Sequence, residues 1–255
     1  MNAIGIEGLP EVRPGDDVAA LIEERTTLRD DDVVCVASTI VSKAEDRAFD
    51  LSAFPASERA RSIADRLEAI SGEEKDPRFA QAVIEESDEL VLEAPFILAA
   101  TTFGHVAPNA GIDRSNVPDD DLLLLPESPS ASAARIRSNL DADVGVVVTD
   151  TCGRCFRHGQ TGVAIGYDGI SATRDWRGET DRDGHELEVT NESIVDELAG
   201  TANLITGEGD DGIPIVVVRD FEFGAHDGSE NLFRDVDDDL VRDALREWSF
   251  EGGST

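Results

Sequence analysis

Apolar positions along the chain recur with two different periods, and the elements follow from them. In "RPGDDVAALIEERT", residues 13–26, Val18, Leu21 and Ile22 share one helical face, and Gly15 and Asp16 mark the start. Residues 33–37, inside "DDVVCVASTIVSKAEDR", form a continuous apolar run that predicts a buried strand, emptying into a polar turn with Ser38, Thr39, Ser42 and Lys43. Helical spacing returns over 57–70 and 77–90, with Ser57 as N-cap and Glu58 in the first turn, where the helix dipole favours a carboxylate. "EAPFILAATTFGHV", residues 93–106, reads as a strand that runs out into the loop "APNAGIDRSNVPDDD". A helix over 129–140 carries Pro129 in its first turn. Strands follow over 144–149 and in "TGVAIGYDGI". The segment "TNESIVDELAGTANLITGEG" predicts a helix capped by Thr190 or Asn191 and stopped by Gly207. "GIPIVVVRD" is a last strand, and 236–248 a last helix.

Strands and helices alternate, yet neither G-x-G-x-x-G nor G-x-x-x-x-G-K-[ST] occurs, so no common nucleotide fold is supported by its fingerprint. The expected class is α+β, with mixed sheets and flanking helices, neither P-loop nor Rossmann. No linker or low-complexity segment divides the 255 residues, which suits one domain or two interleaved subdomains.

Charge changes this picture. The chain has 55 Asp and Glu against 22 Lys and Arg, a net charge of −33, and its lysines are Lys43 and Lys75. The acids are interleaved with apolar elements, a pattern that fits a solvated acidic shell suited to high cytoplasmic salt better than it fits disorder. With no basic stripe, nucleic-acid binding is not expected. No apolar run approaches the about 20 residues a bilayer span needs, and "MNAIGIEGLPEV" lacks the pattern of a secretory leader, so a cytoplasmic protein without a membrane partner is expected.

The chemistry gathers after apolar elements. The richest stretch is "VVVTDTCGRCFRHGQTGVAIG", residues 146–166. Its Cys152-x-x-Cys155 pair stands alone: three cysteines in all, with no second pair and no paired histidines, give neither a disulfide framework nor a four-ligand zinc site. Small residues on a tight turn are the favoured reading of the two cysteines, and a zinc or redox-sensing module built on them is the alternative. Three acidic loops draw more attention: Asp113 and Asn116 in "NAGIDRSN", Asp150 and Thr151 in "VVVTDT", and Glu208, Asp210 and Asp211 in "TGEGDDGIP". Carboxylates on strand tips suit Mg²⁺ or Mn²⁺, which take oxygen ligands and leave positions for phosphate, and glycine-rich loops let backbone N–H groups approach phosphate closely. Lys43, Arg154 and Arg157 can supply positive charge to phosphate or carboxylate groups. His105, His158 and His185 join no catalytic spacing. These residues predict a divalent-metal and phosphate site; a metal-dependent phosphohydrolase would use them to activate water.

The ordered set "EGLPEVRPGDD", "STIVSKAEDR", "NAGIDRSNV", "TDTCGRCFRHGQTGVAIG", "DWRGETDRDGHELEVT" and "GEGDDGIPIVVVR" resembles the coenzyme F420-0:L-glutamate ligase family, also called F420 gamma-glutamyl ligases, from about residue 4 to 219. The resemblance implies that family's α+β fold, an intertwined homodimer, and a reaction in which GTP hydrolysis drives L-glutamate onto the carboxylate of a deazaflavin precursor, coenzyme F420-0. A second glutamate then follows by γ-linkage, completing coenzyme F420. It implies two divalent sites for Mg²⁺ or Mn²⁺, with K⁺ assisting. Carried onto this chain, Asp113 and Asp150 hold one metal, and Thr151 and Glu208 the other. The nucleotide falls to Gly8, Leu9, Pro10, Glu11, Ser38, Thr39, Lys43 and Asn116, and to Thr206, Gly207, Glu208, Gly209, Asp210, Asp211, Gly212 and Ile213. Asp150 and Lys43 take the catalytic roles. Two residues depart from the family pattern: Glu11 stands where an apolar residue is common, and Asp210 often replaces a glycine. Some relatives carry a further flavin-binding domain, which is not expected here.

Overall fold

The computed structural model describes residues 1–115, 117, 120–209, 212–223, 232–248 and 250. The chain divides into two compact units interleaved in sequence, one of Met1–Asp46 with Ser128–Leu232, the other of Arg47–Glu127 with Phe233–Thr255. The first unit opens with β1 (Asn2–Gly5), α1 (Val18–Glu23), β2 (Val33–Ala37) and α2 (Ser38–Ala44). The second contains β3 (Ala48–Phe49), α3 (Glu58–Ser71), α4 (Pro77–Glu85), β4 (Ser87–Leu92), β5 (Leu98–Thr101), β6 (Val106–Pro108) and β7 (Leu122–Leu123). The first then resumes with α5 (Pro129–Asn139), β8 (Gly145–Gly153), β9 (Gln160–Asp168), β10 (Thr173–Asp175), β11 (Asn191–Ser193), α6 (Ile194–Thr206) and β12 (Ile215–Arg219), and α7 (Leu240–Glu247) belongs to the second. No helix among the described residues is long and apolar enough to cross a membrane.

A five-stranded mixed sheet, ordered β1-β12-β2-β8-β9, is the frame of the first unit. β2 and β8 are parallel, and the other neighbours are antiparallel. Val33, Cys35, Val147, Val216 and Val218 pack with Ile194, Val195, Leu198 and Ala202 of α6. The alternate positions Val34, Val36, Val146 and Val148 are equally buried, so these strands are covered on both faces and read as unbroken apolar runs. Each such valine contributes about 1.5–3 kcal/mol of burial. Two glycines of β9 admit the flanking helices: a Cβ on Gly162 would lie 2.3 Å from the Ala199 carbonyl oxygen of α6, and one on Gly166 would lie 2.3 Å from the Pro129 backbone of α5.

The second unit has a three-stranded meander, β4-β5-β6, and a short β3-β7 pair. Its core joins Phe54, Ile63 of α3, Val83 of α4, Ile97, Ile112, Leu122 and Leu124. The mixed α+β class is as expected.

Several elements differ from expectation. The residues expected to form a polar turn after β2 are helix α2, which starts at Ser38 without a side-chain cap. The helix expected over 77–90 stops at Glu85, and Ser87–Leu92 pairs with β5 instead; its alternating pattern is satisfied by a strand. The single strand expected over 93–106 is two, β5 and β6, joined by a turn in which Gly104 has φ +99°. The strand expected to end at 149 runs to Gly153, and its partner spans Gln160–Asp168. The helix expected from 190 begins at Ile194 behind Ser193, because Asn191–Ser193 pairs with β10; its stop at Gly207 is as expected. α1 is capped by Asp17, whose Oδ1 accepts from the Ala19 and Ala20 N–H groups, rather than started at Gly15 and Asp16. The final helix is shorter than 236–248, with a 3₁₀ turn at Val236–Asp238 before Leu240. Ser57 does cap α3, accepting from Ala60 N–H, and Pro129 does open α5.

Candidate functional site

The parallel pairing of β2 with β8 sets the first part of the site. Its register matches Ala37 with Thr149, so the next residues, Ser38 at the head of α2 and Asp150, fall side by side. Ser38 Oγ donates to Asp150 Oδ1 at 3.2 Å. Asp150 is not at a strand tip, as expected, but inside β8, whose last residues Asp150–Gly153 pair with Gly162, Val163 and the start of β9. A bulge lies immediately before it: Val148 pairs with Gly166 and Thr149 with Ala164, leaving Ile165 as the extra residue. Such a bulge sharpens the twist and re-aims the side chains beyond it. The Ala164 N–H donates to Asp196 Oδ1 of α6 at 2.9 Å, and Asp196 Oδ2 accepts from Ser193 Oγ at the same distance.

Adjacent strand residues point to opposite faces, so Thr151 turns away from Asp150. Its hydroxyl donates to Glu208 Oε1 at 3.3 Å. Asn203, in the last turn of α6, donates through Nδ2 to the same Glu208 oxygen at 2.9 Å and lies 3.4 Å from Thr151 Oγ1. Gly207, at φ +66°, ends α6 and turns the chain so that Glu208 folds back toward Asn203. Asn203 was not anticipated from sequence; the available signal is an amide one turn before the terminal glycine of an otherwise apolar helix.

The loop after β1 supplies the third part. Gly8, at φ +75°, offers its carbonyl to Arg25 Nε at 3.0 Å, tying the Gly8–Glu11 segment to α1. Lys43 Nζ lies 2.5 Å from Glu11 Oε1, with the lysine side chain 15% exposed and the glutamate 62%. Thr39 lies in α2 beside Ser38, Thr206 is the last residue of α6, and Gly207, Gly209, Gly212 and Ile213 lie between α6 and β12. Ile213 packs where a Cβ on Gly5 would sit, 2.7 Å from Ile213 Cγ2.

Asp113 belongs to the second unit. It exchanges backbone hydrogen bonds with Leu123, both 2.9 Å, and its carboxylate accepts from Ser115 N–H and Oγ. Asn116, Asp210 and Asp211 lie outside the described residues. The first unit therefore joins Asp150 with Ser38, Thr151 with Glu208, and Lys43 with Glu11.

The donors are hard oxygens, two carboxylates and a hydroxyl, and among the described residues no three His, Cys, Asp or Glu side chains form a ready metal cluster. That donor set fits Mg²⁺ or Mn²⁺ whose coordination is completed by phosphate and water, and it does not fit a soft-metal centre. Cys152 lies in β8 and Cys155 in the exposed turn beyond it, so the tight turn expected to hold both cysteines holds one. Burial, then the neighbouring Asp150, raises the Cys152 thiol above its ordinary range, disfavouring thiolate. Arg154 bends back to donate to the His158 carbonyl at 3.0 Å, bracing the turn, while Arg157 and His158 are exposed.

The family model for F420-0:Gamma-glutamyl ligase matches residues 6–220. The chain belongs to the F420-0:gamma-glutamyl ligase family. It is 68% identical over 98% of its length to the whole of a coenzyme F420:L-glutamate ligase of Halorubrum lacusprofundi. A protein of the same name from Natronomonas pharaonis is 65% identical, covering 99% of both chains. One from Archaeoglobus fulgidus is 46% identical over 94% of this chain and 96% of its own. Every strand of the first unit's five-stranded sheet except β1 falls within the matched stretch of the gamma-glutamyl ligase model.

Proposed function

We propose that this chain is a GTP-dependent ligase that joins L-glutamate to coenzyme F420-0 through an amide bond and adds a second glutamate by γ-linkage. The observation that carries the reading is the Thr151–Asn203–Glu208 cluster, one strand residue from Asp150, in a chain of the gamma-glutamyl ligase family. Asp150, and Thr151 with Glu208, would take part in holding divalent ions, Mg²⁺ or Mn²⁺, and the family resemblance adds Asp113 to the ligands. When bound, such ions offset charge on the terminal phosphates.

Lys43 adds a point charge toward the same phosphates once its ammonium exchanges Glu11 for phosphate oxygen. The family resemblance supports Gly8–Glu11, Ser38, Thr39, Asn116 and Thr206–Ile213 as the nucleotide-binding positions. A carboxylate oxygen of the precursor attacks the γ-phosphorus and GDP leaves, giving an acyl phosphate. The amine of glutamate then attacks the acyl carbon, the amide forms, and phosphate departs with the bonding pair. Arg157, with its guanidinium on the exposed turn, is a candidate for the precursor's carboxylate. The family resemblance supports a homodimer assisted by K⁺, and the acidic composition supports work in a salt-rich cytoplasm.

Incubation with GTP, Mn²⁺, K⁺, L-glutamate and coenzyme F420-0, followed by mass spectrometry, tests this. The expected product carries one or two added glutamyl units, with GDP released only when both acceptor and glutamate are present. GDP release without them, and no glutamylated product, would identify a phosphohydrolase instead.

A further inference from the structure

The second unit contains a cleft of about 720 Å³ bounded by Arg61 of α3, Glu74 and Asp76 of the α3–α4 connection, Arg78 of α4, and Arg114, the residue after Asp113. Its charges sort into two groups. Asp76 and Arg78 neutralise each other: Nε lies 3.1 Å from Oδ1 and Nη2 2.6 Å from Oδ2, and the same carboxylate caps α4 through the Arg78 N–H. Arg61, Arg114 and Glu74, in contrast, have no ion pair among the described residues, in a chain where acids outnumber bases 55 to 22. Arg114 is held by a ring instead, its guanidinium carbon 5.7 Å from the centroid of Phe79. A stacked guanidinium keeps its N–H edge available for planar, bidentate binding of a carboxylate.

Two guanidinium groups and one carboxylate that form no ion pair among the described residues, with Arg114 also feeling the Asp76 charge, are the charge complement of a dicarboxylic amino acid, which carries two carboxylates and one ammonium. Pro55 and Pro77 add apolar wall for the methylene chain between them. We infer that the Arg61–Arg114–Glu74 cleft is the binding site for the incoming L-glutamate, with the arginines on its carboxylates and Glu74 on its ammonium. This deepens, and rests on, the ligase reading. Its place one residue from Asp113 puts it beside a proposed metal ligand within the same unit.

The test uses the full-length protein and two readouts. Calorimetric titration of L-glutamate, with no turnover required, should give at least about tenfold weaker binding for Arg61→Gln and Arg114→Gln than for the unaltered chain. Glutarate, which lacks the ammonium, should bind Glu74→Gln as it binds the unaltered protein, whereas glutamate should bind that variant more weakly. In steady-state assays the same arginine variants should raise KM for glutamate while KM for GTP stays within about twofold. These side chains are exposed, so unchanged thermal unfolding will exclude misfolding. Unaltered glutamate affinity in both arginine variants, or weakening confined to GTP, overturns the cleft assignment. Absence of glutamylated product from the unaltered protein overturns the ligase reading, and the calorimetric arm judges the cleft independently.

Discussion

Thr151 Oγ1 donates to Glu208 Oε1 across 3.3 Å, joining two residues 57 positions apart in the chain. The link depends on three local facts: β8 extends past its buried core, α6 ends at Gly207, and Asn203 steadies the Glu208 oxygen from the last helical turn. Asp150→Asn should lower turnover by at least about a hundredfold while leaving the fold intact, since the amide still accepts from Ser38 but loses the charge a divalent ion needs. Thr151→Val and Glu208→Gln should each raise the Mn²⁺ concentration for half-maximal activity by about tenfold or more. Metal titrations of ligation rate, with circular dichroism as the folding check, decide both. Near-normal metal dependence in all three variants would remove the role assigned to this cluster.

The Lys43–Glu11 pair has one nearly buried and one exposed partner. A surface ion pair of this kind contributes at most about 1 kcal/mol, so Lys43→Met should change unfolding little. Its kcat/KM for GTP should nevertheless fall by about tenfold or more, because the charge proposed to act on the phosphates is lost. Glu11→Gln should move the other way, lowering KM for GTP and flattening its dependence on salt, because a competing carboxylate is removed. Opposite signs for the two variants are the diagnostic result.

Close helix approach is tested at Gly162. A Cβ there meets Ala199 oxygen at 2.3 Å and Asn203 Cβ at 2.8 Å. Both atoms belong to α6, and its backbone cannot swing aside as a flexible side chain would. Gly162→Ala should cost about 1–3 kcal/mol by overpacking. It should also weaken metal dependence, because α6 shifts with Asn203 on it. Thermal unfolding and the Mn²⁺ titration of the same variant measure the two effects separately.

The cysteines give a prediction with a pH sign. Burial pushes the Cys35 thiol up to about 12 and, with help from Asp150, raises that of Cys152. Thiolate is the reactive form, so near neutral pH alkylation should reach exposed Cys155 first and leave Cys35 unlabelled in the folded protein. Labelling of Cys152 should accelerate only as pH rises above the ordinary thiol value of 9.0. A Cys152→Ser, Cys155→Ser double variant should keep kcat/KM within about twofold, whereas a redox or zinc role predicts its loss.

Much of this was legible because local chemistry and tertiary structure agree. β2 is a valine run buried on both faces, Ser57 caps α3, Pro129 starts α5, and Gly207 stops α6. The misread elements are those where partners distant in sequence decide. Asp150–Gly153 looks like a polar turn until β9 returns alongside it. Asn191–Ser193 looks like a helix start until Thr173–Asp175 pairs with it. Ser38–Ala44 carries β-branched residues and lacks a capping side chain, so its helix has little local signature. For the site, residue type marked Asp150, Thr151 and Glu208. The Asn203 bridge needs the geometry of a helix end, which composition does not carry.

Helix α7 is docked by charge more than by apolar burial. Its one buried residue is Arg242, while Leu240 and Val241 are 80% and 65% exposed. Arg242 reaches Glu89 Oε2 through Nε at 2.8 Å, and Arg246 reaches both Glu89 oxygens, at 2.5 and 2.9 Å. The Arg246 hydrogen bond, followed by that of Arg242, holds the Glu89 carboxyl below its ordinary value of 4.5. The folded state thus binds the Glu89 proton more weakly than the unfolded chain does. Its stabilising contribution is fully present above that ordinary value and is lost as pH falls through the lowered one. Hydrogen exchange across Leu240–Glu247 should accordingly speed up as pH falls through the lowered Glu89 value, before the buried α3 and α4 core responds. Glu89→Gln should give the same fast exchange at neutral pH and abolish the acid step. Persistence of slow exchange in that variant would mean that α7 is held by contacts other than Glu89.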